Sequence, residues 1–358
     1  MRLGLTPPIE VTGLGPAVDL CVRAEGLGYT DVWTAEVGGA DAFAPLAAVA
    51  TRTSRVRLGV ACVPVFTRPP ALVAMSAAGL QALSGGRFAL GVGASSPAIV
   101  DGWMGVPYDR PLTRVREYVE ILREALAGRK VSFDGDTVRT EGFRLQVDPG
   151  PAPVPIHVAA LGPKMCRLAG QVADGVLFFL MTPDGVRQAL AEVAEGASGA
   201  GRDPAQLEAF IRLPVAVDEP EDLVRLMGRR VLTGYAMVPA YNASLSRQGF
   251  DAEARAIADA WSAGHRDRAT ELFTPEMFDE LFVHGDAVAV RARIQAYRDA
   301  GVTIPTVMLI SFAGSPEERA ERLTAAVEAL APSASNVSLL SRRRSPGRAS
   351  ASPGPRGT

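Results

Sequence analysis

Between residues 55 and 96 the sequence RVRLGVACVPVFTRPPALVAMSAAGLQALSGGRFALGVGASS sets two short apolar runs on either side of a longer uncharged one. The first run, Val56, Leu58 and Val60 to Val63, is rich in β-branched residues, too short for a helix, and flanked by Arg55 and Pro64. It predicts a buried strand. The second, from Phe88 to Val92, is apolar and equally short, and runs out into Gly91-Val92-Gly93-Ala94-Ser95-Ser96. Between them, Pro69 to Gly86 carries Leu72, Met75, Leu80 and Leu83 among Ser76, Gln81 and Ser84, which suits a helix packed on a sheet better than a membrane span. Strand, helix and strand form one parallel βα unit, since parallel neighbours need a crossover. Both strands end in small residues. Ligands of parallel sheets sit at this carboxyl edge, where small side chains let a flat or phosphorylated molecule approach the backbone.

The alternation continues along the chain. Strands are predicted at Arg2 to Leu5, Asp31 to Thr34, Val154 to Ala160, Gly175 to Leu180, Phe210 to Val217 and Thr306 to Ile310, with helices between most of them. With the two strands above, this is the count of an α/β protein of the (β/α)₈ TIM type. A chain of 358 residues, 47% hydrophobic, is long enough for such a barrel with insertions. One insertion is predicted at 129–147, where Asp134-Gly135 separates two alternating runs as in a hairpin. A second, at 221–280, is helical, rich in Arg, Asp and Glu, and reads as an excursion or lid. Ser315-Pro316-Glu317-Glu318 opens the last helix as a capping box. Residues 1–332 are therefore read as the barrel. Residues 333–358, rich in Arg, Ser, Pro and Gly without an acid, are read as a disordered basic tail.

Composition excludes several roles. The formal net charge is −2 and the folded part has no basic stripe interleaved with aromatics, so no nucleic-acid partner is expected. The cysteines Cys21, Cys62 and Cys166 lie far apart, which supports neither a disulfide framework nor a zinc site. His157, His265 and His284 are equally scattered, and no metal is expected. Gly91-Val92-Gly93 lacks the third glycine and the following helix of a dinucleotide fingerprint. The start, MRLGLTPPIEV, reads as a first strand rather than a signal peptide, so a cytoplasmic protein acting on a small molecule, with no membrane partner, is expected.

Three groups remain as candidates for chemistry. Leu161-Gly162-Pro163-Lys164 joins a strand end to a helix amino terminus, where backbone N–H groups, the helix dipole and Lys164 suit an anion. An ordinary βα turn with proline at the first helical position accounts for the same residues. Glu36 is the one carboxylate at a strand's carboxyl end with small neighbours, and it reads either as an acid of the site or as a solvated loop residue. Arg68, after the third strand, could meet an anionic ligand or solvent. His157 reads as a satisfied core histidine, and Cys62 as a small core hydrophobe.

Three long segments, LGVACVPVFTRPPALVAMSAAGLQALSGGRFALGVGAS, GVPYDRPLTRVREYVEILREAL and PIHVAALGPKMCRLAGQVADGVL, together resemble the luciferase-like oxidoreductases. The likeness spans roughly residues 1–330 and points to the branch that uses the deazaflavin coenzyme F420, such as methylenetetrahydromethanopterin reductase. It implies a luciferase-type (β/α)₈ barrel, coenzyme F420 in the carboxyl-end cavity, and hydride transfer between its C5 and an organic substrate. It also implies a cis peptide bond at Ala61-Cys62 behind the ring, with Val63 and Arg68 beside it. Ala94, Ser95 and Ser96 would line the pocket, and Ala160 with Leu161 to Lys164 would meet the coenzyme's phosphate. A homodimer or higher homo-oligomer is expected.

One departure matters. Some relatives carry an Asp-His pair at the second strand's end, where this chain has Glu36-Val37. The resemblance therefore favours a reductase or a biosynthetic redox step over sugar-phosphate oxidation, with Glu36 bonding the ring or handling a proton. An FMN-dependent monooxygenase fed by a separate flavin reductase, and a non-catalytic flavin-binding barrel, are the alternatives.

Overall fold

The computed structural model describes residues 2–332. The basic tail expected at 333–358 lies outside them. Eight parallel strands close into a barrel: β1 (Gly4–Leu5), β2 (Asp31–Thr34), β3 (Arg57–Val60), β4 (Phe88–Gly93), β5 (Ile156–Ala159), β6 (Gly175–Phe179), β7 (Glu208–Val217) and β8 (Ile304–Leu309). Neighbours pair in sequence order, and β8 returns to β1 through Gly4 opposite Thr306. Helices α1 (Leu14–Gly26), α2 (Phe43–Ala50), α3 (Pro70–Leu83), α4 (Pro111–Leu126), α5 (Pro163–Val172) and α6 (Pro183–Gly199) pack outside.

The hairpin insertion forms as Val131–Asp134 against Arg139–Phe143. Glu117 of α4 anchors its turn by accepting hydrogen bonds from the backbone of Asp136, Thr137 and Val138. Between β7 and β8 the chain runs through α7 (Glu221–Ala236), α8 (Pro239–Leu245), α9 (Asp251–Ser262), α10 (Arg266–Glu271) and α11 (Pro275–Leu281). These helices have their own apolar cluster, in which Leu232, Ile257, Phe273 and Phe278 join Phe179 and Ala216 of the barrel. The excursion therefore stands on the carboxyl ends of β6 and β7. A strand that periodicity does not reveal, Val283–Gly285, follows it and pairs with the end of β7, too short to alternate visibly. Two more helices, α12 (Ala287–Asp299) and α13 (Pro316–Ala329), flank β8, and Ser315 with Glu318 makes the expected capping box.

The interior is filled in levels, because inward side chains recur every second residue of a strand. At the amino-terminal end Glu208 accepts hydrogen bonds from Arg2 at 2.6 Å, Arg57 at 2.7 Å and His157 Nε2 at 3.0 Å, while Arg2 also pairs with Asp31. Above this charged plug sit Trp33, Ala89, Leu177, Phe210 and Ile304. Gly59 is required here, since a Cβ on it would lie 2.2 Å from the Trp33 ring. His157 is wholly buried and bonded through Nε2, but Nδ1 has no partner, so the core histidine is satisfied on one side only.

Burial keeps His157 neutral, below its ordinary 6.5, against the pull of Glu208. Burial also opposes ionisation of Glu208, but His157 and Arg57 outweigh it and hold the carboxyl far below its ordinary 4.5. Both groups take up protons on unfolding in acid. Their stabilisation is thus complete above pH 6.5 and declines as pH falls, first through 6.5 and then through 4.5. Urea denaturation should show this loss. Glu208→Gln should cost roughly 2 to 4 kcal/mol at pH 7, somewhat less than a fully buried pair because 27% of the side chain is exposed, and should flatten the acid limb. Equal stability of the two proteins at pH 7 would contradict this role.

Candidate active site at the carboxyl end of the barrel

Where β3 to β5 end, the third inward level is built from small residues. The peptide bond Ala61–Cys62 is cis, and the Ala61 N–H donates to the Thr34 carbonyl at 2.7 Å. Cys62 turns toward β4 and β5, where a Cβ added to Gly93 would meet its Sγ at 2.6 Å and the Ala159 Cβ at 2.9 Å. Only glycine at 93 leaves this floor flat. Burial pushes the Cys62 thiol up to about 12, with Arg212 pulling the other way, so it is a neutral packing group and no nucleophile at neutral pH.

Of the residues singled out in the sequence, Glu36 and Arg68 meet each other. The guanidinium donates to both carboxylate oxygens, at 2.7 to 3.1 Å, and the backbone N–H of Ala42 donates to Oε2 at 3.3 Å. Arg68 also lies over the Phe43 ring, and its carbonyl accepts from the Tyr118 hydroxyl. Ala94, Ser95 and Ser96 leave the end of β4 half-exposed, with Ser95 at φ 60°. The segment after them, Ala98–Trp103, is one π-helical turn whose exposed Trp103 reaches over Gly38 at the β2 end. Val63 and Ala160 are different: both side chains are buried in the main core, leaving only their backbone to meet a ligand.

Leu161 to Lys164 forms the predicted junction of strand and helix. Gly162 caps α5 in extended conformation with Pro163 at the first turn, and no side chain caps the helix. Lys164 is exposed. Arg247, from the π-helical segment Ser246–Phe250 of the excursion, donates to the Leu161 carbonyl at 2.9 Å, and the neighbouring Gln248 side chain accepts from the Thr182 N–H. A cleft of about 90 Å³ opens between this segment and Leu161, Pro163 and Cys166. Arg247 is the one charged residue between Arg230 and Asp251, but nothing local in the sequence places it beside Leu161, 86 residues away.

Arg212 of β7 was also missed, although alternation could have found it. It is the one charged residue in FIRLPVAV and shares the inward face with Phe210. Its guanidinium lies 4.6 Å from the Phe179 ring centre, and Phe179 is in turn packed edge-on by Tyr235 at 4.9 Å and Tyr241 at 6.0 Å. The mouth thus has a flat small-residue floor under β3 to β5, an aromatic wall under the excursion, and a helix amino terminus at the rim. Among the described residues no cluster of His, Cys, Asp and Glu could hold a metal, and no helix is long and apolar enough to cross a membrane.

This barrel and mouth define a class. The chain belongs to the luciferase-like monooxygenase family, whose model matches residues 1–304. Among its relatives is the 5,10-methylenetetrahydromethanopterin reductase of Methanolobus tindarius, 32% identical over 84% of this chain and 91% of that protein. A putative coenzyme F420-dependent oxidoreductase of Mycobacterium tuberculosis is 30% identical over 89% of this chain and 96% of its own length. The solved coenzyme F420-dependent tetrahydromethanopterin reductase of Methanopyrus kandleri superposes with a TM-score of 0.75 at 26% identity, covering 93% and 97% of the two chains.

The floor gives a direct test. Gly93→Ala should destabilise the protein by about 1 to 3 kcal/mol through overpacking against Cys62 and Ala159, and adding Cys62→Ala should recover part of the loss. Additive losses in thermal or urea unfolding would mean that Gly93 and Cys62 do not share the floor.

Proposed function

We propose that this chain is a coenzyme F420-dependent oxidoreductase that moves a hydride between the deazaflavin C5 and a carbon of a small organic substrate, as a reductase or a biosynthetic redox enzyme. The observation that carries this reading is the pairing of a flat floor, Cys62, Gly93 and Ala159, with an uncapped helix terminus at Gly162, in a chain whose relatives are F420-dependent oxidoreductases. When bound, the coenzyme supplies a ring carbon that accepts or gives up a hydride. The residues fit such a group. The backbone around Ala61, Cys62 and Val63 would stand behind the ring, and Ala94, Ser95 and Ser96 beside it. The unpartnered, buried Thr6 Oγ1 is left to bond a polar edge. Ala160 through its backbone, and Leu161, Gly162, Pro163 and Lys164, would hold the phosphate by N–H groups, helix dipole and one charge.

Glu36 acts differently from a free acid. With both oxygens engaged by Arg68, it ties the β2 end to the loop after β3. We therefore assign Glu36 and Arg68 a positioning role at the rim. The alternative use of FMN shares the barrel, and the phosphate loop supports F420 only through the relatives that carry it.

Titration with coenzyme F420 and with FMN tests the reading. F420 should bind the more tightly, and Lys164→Ala should weaken it by about 1 to 3 kcal/mol, the loss of one charge-assisted hydrogen bond. FMN binding as tightly as F420 would favour the monooxygenase reading. Glu36→Gln should weaken coenzyme binding by about 1 to 3 kcal/mol and leave the pH profile of turnover unchanged. Loss of a limb from that profile would return proton handling to Glu36.

A further inference from the structure

Among the described residues the Arg212 side chain has neither an ion-pair nor a hydrogen-bond partner, whereas Arg247 at the rim bonds the Leu161 carbonyl and three other arginines of the barrel each meet a carboxylate. Arg2 has Asp31 and Glu208, Arg57 has Glu208, and Arg68 has Glu36. Arg212 faces inward in register with Phe179 and Thr306, and its guanidinium packs on the neutral Phe179 ring. With its guanidinium 4.6 Å from the ring of Phe179, the last residue of β6, Arg212 lies in the mouth beneath the excursion that packs on that ring. The Tyr241 hydroxyl there offers no countercharge. Burial pushes the Tyr241 phenol upward, against the pull of Arg212, and keeps it neutral. A half-buried guanidinium without a partner is an unfavourable arrangement that an anion relieves. The surrounding wall of Phe179, Tyr235 and Tyr241, with the two tyrosine rings 5.5 Å apart, suits a flat apolar body.

We infer that the substrate is a flat, largely apolar anion whose carboxylate or comparably acidic oxygen is received by Arg212 while its body lies against Phe179, Tyr235 and Tyr241. This rests on the proposed F420-dependent redox reading and narrows its substrate class. Arg212 is then the residue that selects charge, since Glu36 and Arg68 neutralise each other. An acidic oxygen could also come from the coenzyme's own pyrimidine edge, and the experiment separates the two sources.

Calorimetric titration with benzoate and with its neutral analogue benzyl alcohol, each with and without F420, is the test. Wild-type protein should bind benzoate at least about tenfold more tightly than benzyl alcohol, and Arg212→Met should erase that preference while holding F420 within about threefold of wild type. Arg212→Lys, which keeps the charge, should retain part of the preference and guards against a folding defect. Equal binding of the two probes to wild type, or an undiminished preference in Arg212→Met, would overturn the inference. So would a tenfold loss of F420 affinity in Arg212→Met with benzoate unaffected, because Arg212 would then serve the coenzyme. Failure of wild type to bind F420 would count against the proposed function alone, since the benzoate preference is also read without coenzyme.

Discussion

Glu208 gathers donors from Arg2 before β1, Arg57 of β3 and His157 of β5, so one carboxylate of β7 ties together strands from all sides of the barrel. A closed sheet must fill its own interior, and it must do so without leaving charge unpaired. Here the amino-terminal end is filled by a nearly self-compensated ionic cluster and the middle by Trp33, Phe210, Leu177 and Ile304. Once those two levels are occupied, the remaining interior volume is all at the carboxyl end. The site is open because the rest of the barrel is closed.

What lines that end follows from the same inward period. Ala159 succeeds His157 on the inward face of its strand, Gly93 succeeds Gly91, and Arg212 succeeds Phe210. The floor is small where β3 to β5 end, and the wall is aromatic where α7 and α8 lean on Phe179. The excursion also closes the rim over α5, through Arg247 and Gln248. A binding loop, a floor and a wall thus come from three separate stretches of chain, held in one place by the plug beneath them.

The sequence made some of this legible and hid the rest for physical reasons. Strands buried on both faces announce themselves as short apolar runs, so β3 and β4 and the small residues after them are legible directly. The Asp134-Gly135 hairpin and the Ser315 capping box are local and equally plain. The partnership of Glu36 with Arg68 is not local: it spans 32 residues and exists only because β2 and β3 lie side by side. Read singly, one looked like a site acid and the other like an anion receptor. Arg212 was overlooked because its strand reads as continuously apolar, although a two-residue period counted from Phe210 would have turned it inward. Val63 and Ala160 sit at strand ends where a resemblance carries the backbone position but not the direction of the side chain.

The account stands or falls on what occupies the mouth above the plug. A crystal structure of the protein with coenzyme F420 should show the deazaflavin ring against the Ala61–Cys62 backbone, over Gly93 and Ala159, with its phosphate at the backbone of Leu161 to Lys164. Coenzyme found elsewhere, for example in the cleft of about 490 Å³ between Glu219, Gly314 and Arg322, with the small-residue floor empty, would contradict it.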